Sequence, residues 1–197
     1  MSVPEFAGAV LAGGRSSRMG TDKARLLVGG ETLLARQLRL LREAGARDRR
    51  VVGRSTDESV REPEVQFVSD RQVGAGPLAG LEAALETSGS ALTLVLAVDL
   101  PFLTADLLRR LVQQGGPEVG VIPWRADNPE PLVALYPRRA LPEVTRRLQA
   151  GELPLQPLVR AGVIAGWLKP WRIADADAAQ FTNWNRPGDL PRVEHPA

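Results

Sequence analysis

The chain has 197 residues, a formal net charge of +2, and hydrophobic and charged fractions of 44% and 24%, which predicts one soluble globular domain. It has no cysteine, which excludes disulfides, thiolate nucleophiles and cysteine-ligated zinc. Its only histidine, His195, lies near the C-terminus among prolines, so catalysis by histidine is not expected.

The first part of the chain alternates between predicted strands and predicted helices. Runs rich in β-branched residues predict strands at 8–12, 49–53, 65–69, 92–98 and 119–123. After the first strand, ETLLARQLRLLREAG predicts an amphipathic helix ending at Gly45, whose apolar face is formed by Leu33, Leu34, Leu38, Leu41 and Ala44. Pro77 is predicted to begin a second helix that ends near Gly89, and Thr104 to cap a third.

The remainder of the chain is less regular. We predict a strand at 131–136, a turn at Pro137, a helix to about 149, a Pro-rich link at 154–157, a short helix within WRIADAD, and a tail from about 187. Strands that alternate with helices indicate βαβ units. The sequence therefore predicts a single-domain α/β protein, a Rossmann-like three-layer fold with a mostly parallel central sheet.

Membrane and nucleic-acid partners are not expected. The longest strongly apolar run, ALTLVLAV at 91–98, is too short to cross a bilayer, and the N-terminus lacks the pattern of a signal peptide. The arginines are scattered among acidic residues and form no stripe interleaved with aromatic residues. We therefore expect a cytoplasmic protein.

The first βα junction, AVLAGGRSSRMGTDKARLL at 9–27, has the chemistry of a phosphate-binding loop. Gly13 and Gly14 allow the backbone to approach a phosphate, and Arg18 and Lys23 can supply positive charge to its oxygens. Lys23 is conspicuous because only two of the 25 basic residues are lysines. The loop is therefore predicted to hold a triphosphate.

Two familiar nucleotide motifs fit less well. In a Walker loop the lysine directly follows the second glycine, whereas Lys23 lies three residues after Gly20 and is followed by alanine. GAGPLA at 74–79 formally matches a dinucleotide fingerprint, but the next strand-end acid, Asp99, lies farther along than the expected spacing of about 20 residues. The segment also fits an ordinary glycine-rich turn into a helix.

Two acidic residues follow predicted strands. Asp99 comes after LVLAV and before Leu-Pro, so its carboxylate is expected at the carboxyl edge of the sheet, facing the glycine loop. Taken with that loop, Asp99 is interpreted as a metal ligand. Asp70 follows VQFVS and fits an Asx-turn about as well as a site residue.

These segments together resemble the molybdenum cofactor guanylyltransferases, within the wider nucleotidyltransferase group. The resemblance rests on LAGGRSSRMGTDKARLL, SDRQVGAGPLAGLEAAL, LAVDLPFL, EPLVALYP and FTNWNRPGDL, and it extends in order from about residue 7 to residue 190. One difference is VVGRS, where Gly53 replaces an asparagine that some members use to hold the nucleotide. That difference leaves a backbone contact or none at this position.

The resemblance implies transfer of GMP from GTP to the phosphate of molybdopterin, with release of pyrophosphate. It also implies a nucleotide-binding half at 7–100, an acceptor-binding half at 101–190, and a flexible tail at 191–197. Arg18, Lys23 and Asp99 are the expected catalytic residues, with Asp99 holding Mg²⁺. The nucleotide-binding residues it implies are Leu11, Ala12, Gly13, Gly14, Lys23, Asp70, Gly76, Pro77, Leu78, Gly80 and Asp99.

The acceptor side is assigned to two asparagines near the C-terminus. Asn183 and Asn185 are two residues apart, so in an extended segment their amides project to the same side and complement the edge of a pterin. Turn chemistry alone favours caps before Pro187, whereas the resemblance favours acceptor binding.

Two rival functions are alternatives to this one. The first is another nucleotidyltransferase with a different base or acceptor, and the second is a non-catalytic escort protein that binds GTP and the pterin. A recipient molybdoenzyme or its chaperone is a further candidate partner.

Overall fold

The computed structural model of the chain describes residues 3–13, 22–54, 56–57, 60, 62–69 and 75–184. Its strands are β1 (Ala7–Leu11), β2 (Leu27–Val28), β3 (Glu31–Thr32), β4 (Arg49–Val52), β5 (Val65–Val68), β6 (Leu92–Ala97), β7 (Gly120–Arg125), β8 (Asn128–Pro129), β9 (Val133–Pro137) and β10 (Leu168–Arg172). Its α-helices are α1 (Leu33–Ala44), α2 (Pro77–Thr87), α3 (Ala105–Gln113), α4 (Leu141–Gln149) and α5 (Leu155–Ile164). Short 3₁₀ helices lie at Lys23–Arg25, Arg138–Ala140 and Asp175–Phe181.

The central sheet has the order β10-β7-β9-β6-β1-β4-β5, and β8 pairs with β7. β1 pairs in parallel with β6 and β4, β4 with β5, and β10 with β7, while β9 runs antiparallel to β6 and β7. The predicted mostly parallel sheet is confirmed. Because Leu11 lies beside both Val52 and Ala97, the carboxyl ends of β1, β4 and β6 are level with one another.

Helices cover both faces of this sheet and give it three layers. α1 and α3 pack into one apolar cluster, and α2, α4 and α5 contribute to the other. The five apolar residues predicted for the buried face of α1 are all buried. Burial of apolar area on both faces stabilises the central parallel strands β1, β4 and β6, whose residues are all buried.

The predicted helix boundaries in the first half are confirmed by their capping geometry. Gly45 ends α1 with φ of 98°, a left-handed conformation that glycine adopts without steric cost. Pro77 is the first residue of α2. The Thr104 hydroxyl accepts a hydrogen bond from the Leu107 N–H of α3 at 3.3 Å.

Two predictions for the second half were wrong, and a third was displaced by one residue. Pro137 is the last residue of β9 and also the N-cap of the 3₁₀ turn Arg138–Ala140. The segment predicted as a link at 154–157 begins α5, because a proline in the first helical turn occupies a position whose N–H has no partner within the helix. The residues predicted as a helix at 171–177 instead end the edge strand β10 and begin a 3₁₀ helix.

The C-terminal 3₁₀ helix, Asp175–Phe181, is tied to α3 by side-chain contacts. Arg110 donates two hydrogen bonds to the Asp177 carboxylate, at 3.0 and 2.8 Å. The Gln180 carbonyl oxygen accepts hydrogen bonds from the Thr104 backbone N–H at 3.1 Å and from its hydroxyl at 2.9 Å. These contacts hold the segment that continues to residue 184 against the carboxyl edge of the sheet.

We expect Asp177→Asn to lower the free energy of unfolding by about 1 kcal/mol at neutral pH, as is typical of a partly exposed bidentate ion pair. The hydrogen bond from Arg110 holds the pKa of Asp177 below its usual value. The stabilisation is therefore complete above the ordinary carboxyl pKa of about 3.9 and is lost as the pH falls through the lower folded-state value. Denaturant titrations of both proteins between neutral and acidic pH measure this; a difference that does not shrink in acid contradicts the assignment.

Candidate active site

Lys23 and Asp99 lie together at the carboxyl edge of the sheet, where the sequence predicts both residues. The Lys23 Nζ atom donates to Asp99 Oδ2 at 2.9 Å. Both side chains are about one-fifth exposed, which leaves the pair partly shielded from water yet open to a ligand. A cation and an anion in this position form a site that suits a metal-bound polyphosphate.

Asp99 is positioned by its backbone and by α1. The turn after β6 brings the Val98 N–H to the Leu11 carbonyl oxygen at 3.3 Å, and the Trp184 N–H donates to the Asp99 carbonyl oxygen at 2.9 Å. Just after Asp99, the buried Gln37 side chain donates to the Leu100 carbonyl oxygen at 2.7 Å. Arg36 donates to the Pro101 carbonyl oxygen at 2.8 Å. The loop that carries Asp99 is thus held from two directions.

Lys23 is positioned by a capped 3₁₀ turn. The Asp22 carboxylate accepts a hydrogen bond from the Ala24 N–H at 3.1 Å, and the Ala24 side chain is buried in the core beneath α1. Asp22 also forms a hydrogen-bonded ion pair with Arg54. The hydrogen bond from Arg54 lowers the pKa of Asp22 below its usual value. The lysine therefore projects from a turn whose two ends are fixed by core packing and by an ion pair.

Arg54 joins three segments at this edge. Its Nε donates to the Ala12 carbonyl oxygen at 3.2 Å, one terminal nitrogen donates to Asp57 at 2.9 Å, and the other contacts Asp22. The Asp57 side chain is 1% exposed and that of Arg54 is 16% exposed. The arginine lies two residues after the end of β4, and its contact with Ala12 places it beside the carboxyl end of β1.

The second glycine segment leads into α2 with backbone geometry that only glycine adopts readily. Gly76 has φ of 67° and ψ of −158°, and within the described residues no side chain caps the first turn of α2. Leu78 is buried, and a Cβ atom on Gly80 would lie 3.2 Å from Leu11 Cδ2. Leu78 and Gly80 therefore pack α2 on β1, and the helix offers a ligand only its backbone N–H groups.

Gly53 has no side chain to offer a ligand, and its backbone N–H is already used. It donates to the Val68 carbonyl oxygen at 2.8 Å, which extends the pairing of β4 with β5. Gly53 has φ of 89°, which turns the chain so that Arg54 reaches back toward β1.

Four of the remaining predicted site residues are among those that the structure describes. Leu11, Ala12 and Gly13 lie at the end of β1 and directly after it, beside the Lys23–Asp99 pair. Asn183 is exposed and precedes the buried Trp184, whose ring packs edge-on to Phe102 with 6.0 Å between centroids. The predictions for Gly14, Arg18, Asp70 and Asn185 lie outside the described residues.

The donor set fits a divalent ion that is shared with a substrate. Within the described residues, no cluster of three or more acidic or histidine side chains could enclose a metal. Mg²⁺ is commonly held by one or two carboxylates together with substrate phosphates, and the Asp99 carboxylate at the sheet edge would be one such ligand.

Sequence reasoning missed Arg54 and Gln37. Gln37 lies on the apolar face of α1 between Leu33 and Leu41, and a lone polar residue at such a position signals a buried hydrogen bond. Arg54 is a basic residue two positions after the end of a central strand, which is a further signal for the carboxyl edge.

A mostly parallel α/β sheet with Gly13 two residues after the end of its first strand, and with Lys23 and Asp99 paired at the same edge, is typical of a nucleotidyltransferase. The sequence matches the MobA-like NTP transferase domain over residues 8–164, and the chain belongs to this family of enzymes. Within the described residues, no helix is long and apolar enough to cross a membrane.

Relatives and solved structures agree with this assignment. A protein of Opitutus terrae described as a probable molybdenum cofactor guanylyltransferase is 44% identical over 193 residues, covering 95% of this chain and 94% of its own. A solved structure of the molybdopterin-guanine dinucleotide biosynthesis protein A of Archaeoglobus fulgidus is 27% identical, with a TM-score of 0.68 and coverage of 93% and 94%. A nucleotidyl transferase of Methanothermobacter, 20% identical, shares the fold with a TM-score of 0.76 and coverage of 94% of both chains.

Proposed function

We propose that this enzyme transfers GMP from GTP to the phosphate of molybdopterin, forming the guanine dinucleotide of the molybdenum cofactor. The observation that carries the proposal is the Lys23–Asp99 pair, 2.9 Å apart at the sheet edge, in a chain similar over nearly its whole length to a guanylyltransferase of this kind. Together, Lys23, Asp99 and the glycine loop suit a triphosphate and its metal ion.

The chemistry requires positioning and charge more than a nucleophilic side chain. A phosphate oxygen of molybdopterin attacks the α-phosphorus of GTP, the bond to the bridging oxygen of the β-phosphate breaks, and pyrophosphate leaves with its electrons. Lys23 lies where it can stabilise the charge that grows on pyrophosphate, and Arg18 is proposed to share this role. Bound at Asp99, Mg²⁺ would neutralise phosphate charge and orient the triphosphate.

The nucleotide contacts are proposed to come from β1 and α2. The backbone of Leu11 to Gly14 approaches the base and phosphates, and the N-terminus of α2, from Gly76, offers N–H groups to anionic oxygens. Asp70 is proposed to contribute a further contact to the nucleotide.

Incubation of the protein with Mg²⁺, molybdopterin and each of the four common ribonucleoside triphosphates, with pyrophosphate measured, tests the function. We expect pyrophosphate from GTP alone, and only when molybdopterin is present. Turnover with another triphosphate identifies a different nucleotidyltransferase. Tight binding of GTP and molybdopterin without pyrophosphate identifies an escort protein.

Asn183→Ala is expected to weaken binding of molybdopterin by about 5- to 160-fold while leaving GTP binding unchanged. The amide offers both donors and an acceptor to a pterin edge, and such a group lost from a desolvated contact costs about 1–3 kcal/mol. Separate titrations with molybdopterin and with GTP measure the two affinities.

Thr182→Ala is the matched control, because Thr182 is the exposed neighbour of Asn183 in the same segment. It is expected to bind both ligands as the unmodified protein does. An equal loss of both affinities in Asn183→Ala, or a lowered melting temperature, indicates that this asparagine is structural.

A further inference from the structure

We infer that Arg54 is a positioning residue that holds the lysine turn at the end of β1, and thereby sets the triphosphate affinity of the site. The inference rests on the proposed function, because it concerns the residue through which Lys23 is placed.

Two of the three contacts of Arg54 are distant from it in sequence, and the third, Asp57, lies three residues further along its own loop. Ala12 directly follows β1, Asp22 caps the 3₁₀ turn that begins at Lys23, and Asp57 belongs to the loop after β4. A guanidinium is planar and presents its donors in a fixed fork, so occupying all three directions fixes the three segments relative to one another. Lysine, with one nitrogen on a flexible stem, cannot reproduce this arrangement.

The Arg54–Asp57 pair is shielded from solvent, whereas the Asp22 side chain is 38% exposed. The Asp57 side chain is 1% exposed, and Arg54 keeps 16% of its side-chain surface. Shielded, charge-assisted hydrogen bonds hold their geometry better than surface ion pairs do. Arg54, anchored by its shielded pair with Asp57, holds Asp22 through an ion pair, and Asp22 precedes the lysine that reaches Asp99.

Placement of Lys23 by Arg54 and direct contact of Arg54 with the ligand have different consequences. If Arg54 acts through Lys23, removing Arg54 weakens triphosphate binding only while Lys23 is present. If Arg54 binds the nucleotide itself, its loss weakens binding by the same factor with or without Lys23.

A double-mutant cycle with Arg54→Met and Lys23→Met tests this, with GTP affinity measured by titration calorimetry and kcat and KM measured with molybdopterin. We expect Arg54→Met to weaken GTP binding by about 10- to 100-fold, the cost of misplacing a positioned group, and to add little in the Lys23→Met background. Arg54→Lys is expected to restore only part of the affinity. It replaces Arg54→Met in the cycle if the methionine variant does not fold.

Arg49→Lys is the matched control. Arg49 lies at the opposite end of β4, is buried, and pairs with Glu62 and Glu64. The Arg49→Lys substitution is expected to lower the melting temperature without changing GTP affinity. Independent, multiplicative losses in the cycle, or unchanged GTP affinity in Arg54→Met, overturn the inference. Absence of pyrophosphate release by the unmodified protein with every triphosphate instead rejects the proposed function, while the binding cycle still decides the role of Arg54.

Discussion

Asp99→Asn is expected to lower kcat by about 10³-fold or more while the protein stays folded. Replacing a metal-binding carboxylate by a neutral amide removes charge stabilisation of several kcal/mol from the transition state. Pyrophosphate release over a range of Mg²⁺ concentrations measures the loss, and thermal unfolding checks the fold. Because Asp99 also accepts the hydrogen bond from Lys23, a small decrease in melting temperature accompanies the change.

Asp106→Asn serves as the control for Asp99→Asn. Asp106 lies in the first turn of α3, is largely exposed, and pairs with Arg110. It loses a carboxylate without touching the Lys23–Asp99 pair and should turn over normally. Normal kinetics of Asp99→Asn at limiting Mg²⁺ would remove Asp99 from the metal site.

Lys23→Met is expected to weaken GTP binding by about 10- to 100-fold, the cost of losing a charged hydrogen bond of about 1.5–3 kcal/mol. The effect should be specific for the triphosphate, since Lys23 is assigned to the β- and γ-phosphates. Titration with GTP and with GMP measures this difference, and GMP affinity should change little. Thermal stability should fall by no more than about 1 kcal/mol, as for other partly exposed ion pairs.

The chain offers a direct control for Lys23→Met. Lys169, the other lysine, is exposed on the edge strand β10. Lys169→Met makes the same chemical change far along the sheet order from β1, and it should bind GTP normally. Equal losses for GTP and GMP in Lys23→Met would indicate a distorted loop rather than a lost phosphate contact.

The elements in the first half of the chain were predictable because their signals are local. β-branched runs, the five-residue apolar face of α1, and the capping residues Gly45 and Thr104 each act within a few positions. The meeting of Lys23 and Asp99 also followed from the sequence, because the carboxyl ends of neighbouring parallel strands share one edge.

The remaining features depend on tertiary context. The prolines at 154–157 indicate a break, yet the first turn of a helix accommodates them, so α5 was missed. The contacts of Arg54 depend on which loops lie side by side, and strand order, not local pattern, decides that. Gln37 pairs with the Leu100 carbonyl oxygen for the same reason.

The hydrogen bond from the Trp184 N–H to the Asp99 carbonyl oxygen has a consequence for synthesis of the protein. A chain emerging from the ribosome releases its N-terminal elements first, so β1, β4 and β6 are free to pair while the last residues are still being added. The loop of Asp99 acquires its Trp184 donor only after the edge strand β10 and the 3₁₀ helix that follows it have emerged. In a nascent chain, β1, β4 and β6 can therefore pair before the loop of Asp99 gains its last backbone hydrogen bond, which forms only in the final part of translation.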